Sequence, residues 1–442
     1  MSVFGNVQAR LTKRRVDLLL LVTRRSFVNL HWLRVLVFVG ACGIPAVQAA
    51  EPLHLEEAVT RALTSNPSII AEGAQLQAVQ ARAEREALPP PYVIGGEFEN
   101  GAGTGNLRGI DSAETTLRIS RVIELGGKHA ARQTLGRAEV SQQQHQADTA
   151  RIDLASRTTA RFIEVLARQQ RLDYAEERVR QAERTRREVA TWVSAARNPE
   201  SDLQAAEIAL AEVELARETA QHELASARMT LAASWGALTP DFGSVVGDLQ
   251  ALPPVESFET LAARLSMTPE LWASRLQANT ISARRQIAEA GAKPDIDLSL
   301  GVRRMEAFND QGLVMSISVP LGSRKRSGYS IAQADAELIA LEARRDAERF
   351  ERHQVLFDTY QELMHARHEA ETLRTRMLPM AEDALANTRR GFEAGRFSFI
   401  SLAQAQRTLF DLNQRTVEAA ARYHLLLVEV ERLTVTVEDM TP

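Results

Sequence analysis

One heptad stripe, present twice, constrains this chain more than any other feature. From Leu402 the core-type positions step by three and four through Ala405, Leu409, Leu412, Thr416, Ala419, Tyr423, Leu426 and Val430 to Leu433. A stripe of that period follows one face of a helix and packs it lengthwise against another helix. The same register occurs 199 residues earlier, from Leu203 through Ala206, Leu210, Val213, Arg217, Ala220, Leu224, Ala227 and Leu231 to Ser234. The turns before the stripes also correspond, Ala196-Arg197-Asn198-Pro199 against Gly395-Arg396-Phe397-Ser398. Two stripes and two turns at one offset mark an internal duplication.

Residues 1–49 read as a signal peptide. Arg14, Arg15, Arg24, Arg25 and Arg34 precede the apolar run Val35 to Val39, and Val47-Gln48-Ala49 offers small residues for cleavage. Val39-Gly40-Ala41-Cys42 is a passable lipobox, so Cys42 is a candidate for lipidation, with cleavage at Ala49 preferred because the preceding apolar run is short. Either route exports the protein. As the only cysteine, Cys42 excludes an internal disulfide framework. The net charge of -4 argues against a nucleic-acid partner, which would want a concentrated basic face. After the leader, no stretch reaches the roughly 20 apolar residues of a membrane helix.

The first copy spans 50–238, with two short helices, a β-hairpin over 92–122 and long helices over 128–195 and 200–238. A proline-containing linker, 239–256, separates it from the second copy at 257–437. That copy repeats the order, with a hairpin over 295–320 and long helices over 327–394 and 399–437, leaving 438–442 as a tail. At 1.5 Å per residue the helix over 128–195 is about 100 Å long. In the hairpins apolar and polar residues alternate. Ile94 and Phe98, Leu117 and Ile119, Leu298, Leu300 and Val302, and Leu313, Met315 and Ile317 fall on one face of their strands.

Strict alternation over about ten residues suits a membrane barrel, apolar towards lipid and polar towards a lumen. Four strands cannot close a barrel, and open edges are not tolerated in lipid. Three chains would supply twelve strands with room for a pore, so a homotrimer is expected. The long helices carry many Arg and Glu and must project into water. The expected fold is mainly α with a small β part: long antiparallel coiled-coil helices forming a tunnel, and four membrane strands per chain completed as a 12-stranded barrel.

Ala113-Glu114-Thr115-Thr116-Leu117 through Glu124-Leu125-Gly126-Gly127-Lys128 resembles the first hairpin of TolC-like outer-membrane efflux proteins, in particular their cobalt–zinc–cadmium branch. Pro294-Asp295 through Arg303-Arg304, and Ser318-Val319-Pro320-Leu321, are similar to the second hairpin, and Gly395-Arg396-Phe397-Ser398 to the helix-tip motif. The resemblance covers Leu53 to about Val437. It implies a trimeric exit duct in the outer membrane of a Gram-negative bacterium, with a long periplasmic extension. It further implies that the tip docks onto a periplasmic adaptor (membrane fusion protein) and an inner-membrane RND-type proton-driven pump, with divalent heavy metals as cargo. Where members of that family carry acidic residues lining a closed tip, this chain has Ser401 and Gln404. The adaptor-docking residues are then those of the two turns: Ala196, Arg197, Asn198, Pro199 and Asp202, and Gly395, Arg396, Phe397, Ser398 and Ser401.

Other readings compete at particular residues. His365, His368 and Glu369 share a helix face and are candidate ligands for a divalent cation, but Arg367 beside them favours a plain solvated face. Met377 and Met380 flank Pro379 and are expected to pack around a kink rather than to bind a soft metal. Arg324-Lys325-Arg326, just after the fourth strand, fits lipid phosphates and plain solvation equally. Pro379 lies inside the second long helix, where its counterpart in the first copy is Arg180, so only the second copy is expected to bend. Pro379 is therefore the candidate hinge. No nucleophile–base pair, phosphate loop or CxxC motif points to an enzyme or a cofactor. The alternatives are a duct for drugs or for type I protein secretion, and a periplasmic coiled-coil adaptor or scaffold without a transport role.

Overall fold

The computed structural model describes residues 52–440. The expected signal peptide and Cys42 lie outside the described residues. In chain order the elements are α1 (Leu55–Ser65), α2 (Pro67–Glu86), β1 (Val93–Glu99), β2 (Glu114–Ile123), α3 (Lys128–Ser194) and α4 (Glu200–Ala232). Then follow α5 (Phe258–Arg264), α6 (Pro269–Gly291), β3 (Ile296–Met305), β4 (Asp310–Ser318), α7 (Ser323–Thr372), a π-turn (Leu373–Met377), α8 (Leu378–Glu393) and α9 (Phe399–Thr434). No helix among the described residues is long and apolar enough to cross a membrane.

The chain divides into two compact units that interleave the two copies. One comprises the described residues up to Ile70, Ala150–Thr268 and those from Arg352 on; the other comprises Ala71–Thr149 and Pro269–Glu351. Each unit thus takes segments from both copies.

The first unit is helical. Every position of both heptad stripes is buried or half-buried, from Leu203 to Ser234 and from Leu402 to Leu433. Its main core joins Phe162 and Val165 of α3, Leu224 and Leu231 of α4, and Val417, Ala420 and Val428 of α9. The segment expected as a linker enters this core. Phe242, Val245 and Leu249 are buried in it, and Val245–Val246 pairs in parallel with Leu53–His54. The Gln169 side chain brackets Val245, donating to its carbonyl at 3.3 Å and accepting from its N–H at 3.1 Å. The helix expected to reach 238 stops at Ala232, followed by a 3-10 turn that Gly236 ends at φ 80°.

The second unit holds the sheet. Its strands run β1-β2-β3-β4, all antiparallel, so the two hairpins are joined through β2 and β3 while β1 and β4 are free edges. The register aligns Ile94, Ile119, Leu300 and Met315 in one row and Gly96, Leu117, Val302 and Leu313 in the next. Apart from the glycine these side chains are exposed, Leu313 at 74% and Ile94 at 75%. On the opposite face Arg303 reaches Glu99 at 3.1 Å, Glu114 at 2.9 Å and Thr116 Oγ1 at 3.0 Å, while Arg118 reaches Glu97 at 3.2 Å. The sheet is apolar on one face and polar and ion-paired on the other. Asp295 accepts from Lys128 Nζ at 2.6 Å and from the Leu125 N–H at 3.1 Å, tying the start of β3 to the exit from β2. Beside the sheet, Arg285 of α6 bonds Asp335 of α7 at 2.7 Å, and Arg82 of α2 bonds Glu139 of α3 at 2.7 Å.

Candidate functional site

The two turns between long helices are built alike down to the hydrogen bond. After α3 the Ala196 N–H donates to the Val193 carbonyl at 2.9 Å and the Arg197 N–H to that of Trp192 at 2.8 Å. After α8 the Gly395 N–H donates to Phe392 and the Arg396 N–H to Gly391, both at 2.8 Å. This is the Schellman arrangement, which requires a left-handed residue just past the helix. Gly395 supplies it at φ 70°, whereas the first copy places Ala196 there at φ 55°. The following helices also start alike, since Asp202 N–H donates to the Pro199 carbonyl and Ser401 N–H to that of Ser398, each at 3.1 Å. Ser398 additionally caps α9 by accepting the Ser401 N–H at 3.3 Å, and Asn198 donates to Asp202 at 2.8 Å.

Between the turns lies an aromatic cluster that sequence reasoning did not single out. Val189 and Trp192 of α3, Leu203 and Ala206 of α4, Phe392 of α8, and Phe399 and Leu402 of α9 pack together. The Trp192 and Phe392 rings are 4.6 Å apart, and Arg197 lies over the indole at 5.1 Å. Three large aromatics close to two turns, in a chain with only 5% aromatic residues, were the available signal. Outward from this cluster Phe397 is 50% and Ile400 70% exposed. Further along, Arg178 stacks over Phe410 at 4.1 Å, and burial pushes its guanidinium below the ordinary value.

The second long helix is interrupted where the proline sits and the first is not. Five residues, Leu373–Met377, take π geometry, ending two positions before Pro379, while Arg180 continues an unbroken α3. The missing N–H of Pro379 removes one helical bond, and the wider turn accommodates the ring against the preceding carbonyl. Arg374, within the π-turn, donates to the Gln250 carbonyl at 2.7 Å. The same segment of chain is held at Pro253 by the Tyr423 hydroxyl and at Leu249 by His424 Nε2, the latter at 3.0 Å. Burial lowers the His424 pKa from its ordinary value of 6.5, only partly opposed by the Leu249 carbonyl and Asp248. The methionines depart from expectation. Leu373 fills the core at 1% exposure, whereas Met377 is 37% and Met380 70% exposed.

His365 and His368 are exposed on α7, and the carboxylate of Glu369 is engaged by Arg415 at 3.3 Å. Among the described residues no group of three or more His, Cys, Asp or Glu side chains is placed to hold a metal ion.

A family model described as outer membrane efflux protein matches residues 261–434. The cobalt-zinc-cadmium resistance protein CzcC of Cupriavidus metallidurans is 29% identical over 390 residues, covering 87% of this chain and 91% of that protein. The nickel and cobalt resistance protein CnrC of the same organism is 25% identical over 309 residues, 69% of this chain and 72% of that one. Among solved structures, CusC superposes with a TM-score of 0.72 at 16% identity, covering 86% of this chain and 92% of its own. A membrane protein from Pseudomonas aeruginosa gives 0.74 at 15% identity, with 93% and 98% covered. These two likenesses establish the fold.

Proposed function

We propose that this chain, which matches the outer membrane efflux protein model over residues 261–434 and is 29% identical to a cobalt-zinc-cadmium resistance protein, is the outer-membrane exit duct of a tripartite, proton-driven efflux system that exports divalent heavy-metal cations. The observation that carries this reading is the sheet, four strands with two free edges and an exposed apolar face. Backbone groups along those edges must be paired before such a sheet enters lipid. Three copies, joined β1 to β4, would form a closed barrel of twelve strands with the ion-paired face inward. A second exposed stripe on α4, Ile208, Leu215 and Met229 at heptad spacing, gives neighbouring copies a helical seam as well.

In this assembly the four long helical segments of each copy line a water-filled tunnel. The turns at Ala196–Asp202 and Gly395–Ser401 meet the periplasmic adaptor, which connects to the inner-membrane pump. Exposed Phe397 and Ile400 supply the apolar contact of that docking surface, and the arginines Arg197 and Arg396 its rim. The metal passes through as cargo and is not a resident cofactor; the family description names efflux, not catalysis. The cargo follows the metals named in the two resistance relatives.

The test has two arms. The purified protein should run as a trimer in detergent, and a monomeric pore of normal conductance would overturn the shared barrel. A deletion strain should lose tolerance to zinc, cobalt and cadmium while keeping its tolerance to copper and a cationic dye. Sensitivity to the dye with unchanged metal tolerance would replace the metal cargo with drugs.

A further inference from the structure

Along β2 the apolar face is interrupted by a charge. Ile119, Arg121 and Ile123 share that face, in register with Leu298 and Ile317 for Arg121. Arginine there is not a lumen residue that strayed, because the guanidinium has its own seat. Arg121 Nη1 donates to the Tyr92 hydroxyl at 2.8 Å, and the group lies over the Tyr92 ring at 4.5 Å. Among the described residues no carboxylate pairs with Arg121. One edge of the fork is therefore occupied by a neutral phenol, and the rest is available to an anion.

The guanidinium lines a cleft of about 650 Å³ whose other walls include Pro89, Pro90, His129, Leu298 and Leu300. Its proline wall is fixed. Arg132 donates to the Glu86 carbonyl at 2.7 Å and to that of Leu88 at 3.3 Å, holding the chain just before the prolines. The same Arg132 pairs with Glu124, the acidic group lining the cleft, at 2.8 Å, so that charge is neutralised by a partner. What remains of the lining is the Arg121 cation, the His129 imidazole and the exposed branched side chains of Ile119, Leu298 and Leu300.

We propose that this cleft binds the phosphate headgroup of an anionic membrane lipid, with Arg121 as the phosphate ligand and acyl chains lying along Ile119, Leu298 and Leu300. The inference rests on the apolar face of the sheet being the lipid-facing one. Tyr92 holds the guanidinium in a fixed plane, which favours a two-oxygen contact with phosphate over a mobile surface cation. An aromatic–arginine pair at the edge of the apolar band also suits the headgroup level of a bilayer.

Native mass spectrometry of the full chain in detergent, after incubation with phosphatidylglycerol, phosphatidylcholine or acyl-free glycerol phosphate, tests it. Unmutated protein should retain phosphatidylglycerol over the other two, and Arg121→Gln should lower that retention at least tenfold. Tyr92→Phe should lower it less, and Arg304→Gln, at the opposite end of the same face, should leave it unchanged. Equal retention by Arg121→Gln, or equal retention of phosphatidylcholine, overturns the proposal. Glycerol phosphate binding as well as the lipid makes this a free-phosphate site. If Arg121→Gln keeps its lipid but loses the oligomer, the cleft belongs to a neighbouring copy. Flotation of each variant with vesicles separates the two readings. Unmutated protein that fails to float overturns the membrane assignment of the sheet, whereas protein that floats without Arg121-dependent retention overturns only the lipid site.

Discussion

The indole of Trp192 and the ring of Phe392 lie 4.6 Å apart at 38°, one from each copy, and join the ends of the two helical hairpins. Phe392 is 2% exposed and touches Phe399 as well, with ring centroids 6.5 Å apart. Phe392→Ala should therefore cost about 3 kcal/mol of stability, the lost transfer energy plus an unfilled cavity. Thermal unfolding should show the loss, together with easier proteolysis at the turns. An unshifted melting temperature would mean that the tips do not depend on each other.

The two left-handed positions predict opposite responses. Ala196 sits at φ 55°, where a Cβ costs about 1 kcal/mol relative to glycine, so Ala196→Gly should stabilise the protein by about that amount. Gly395→Val places a branched side chain at φ 70° and should misshape the turn. The trimer and membrane insertion should survive, and site-specific cross-linking to the adaptor should be lost. Unchanged cross-linking with unchanged resistance would remove this turn from docking.

The hinge expectation concerns Pro379 and the π-turn before it. If the α8–α9 pair swings there while the α3–α4 pair stays fixed, Pro379→Ala should straighten the helix and change the balance of closed and open tips. Arg374→Ala removes the bond to the Gln250 carbonyl and should raise open probability by freeing the same joint. Single-channel recordings decide between them and a static kink. Open probabilities equal to that of the unmutated trimer, with adaptor binding preserved, would leave the π-turn a matter of taper only.

His424 makes stability sensitive to mild acid. Its folded pKa is depressed by burial, so below its ordinary value of 6.5 the unfolded chain takes up a proton more readily than the folded one. Stability is then greatest above that value and falls as the pH drops towards the depressed folded pKa. His424→Gln keeps an N–H for the Leu249 carbonyl without the titration. Denaturant midpoints should decline less for the variant between about pH 7 and about pH 5. Parallel declines would place the acid sensitivity elsewhere.

Much of this architecture is carried by local periodicity. A step of three and four decides which side of a helix is buried, and both stripes face inward along their whole length. A step of two decides the face of a strand, so Leu117, Ile119, Leu300 and Leu313 fall together in the sheet as their alternation requires. Backbone rules mark the turns, since Gly395 takes the left-handed position after one helix and Pro199 precedes the first residue of the next. The interruption before Pro379 follows from a missing N–H. The sequence did not show that the proline would be met by a π-turn, nor that Met380 would be exposed.

What the sequence by itself determined is therefore the set of faces and reversals, which arise from neighbours a few residues apart. Only the tertiary structure decided the partners. Residues 239–256 look like a spacer because they lack a period, yet Val245 meets Leu53 and Gln169, and Pro253 meets Tyr423. Trp192 finds Phe392, and Lys128 finds Asp295, across separations that no local pattern encodes. The physical reason is that pairing between distant segments is chosen by which apolar faces and unpaired polar groups the whole chain leaves available to one another.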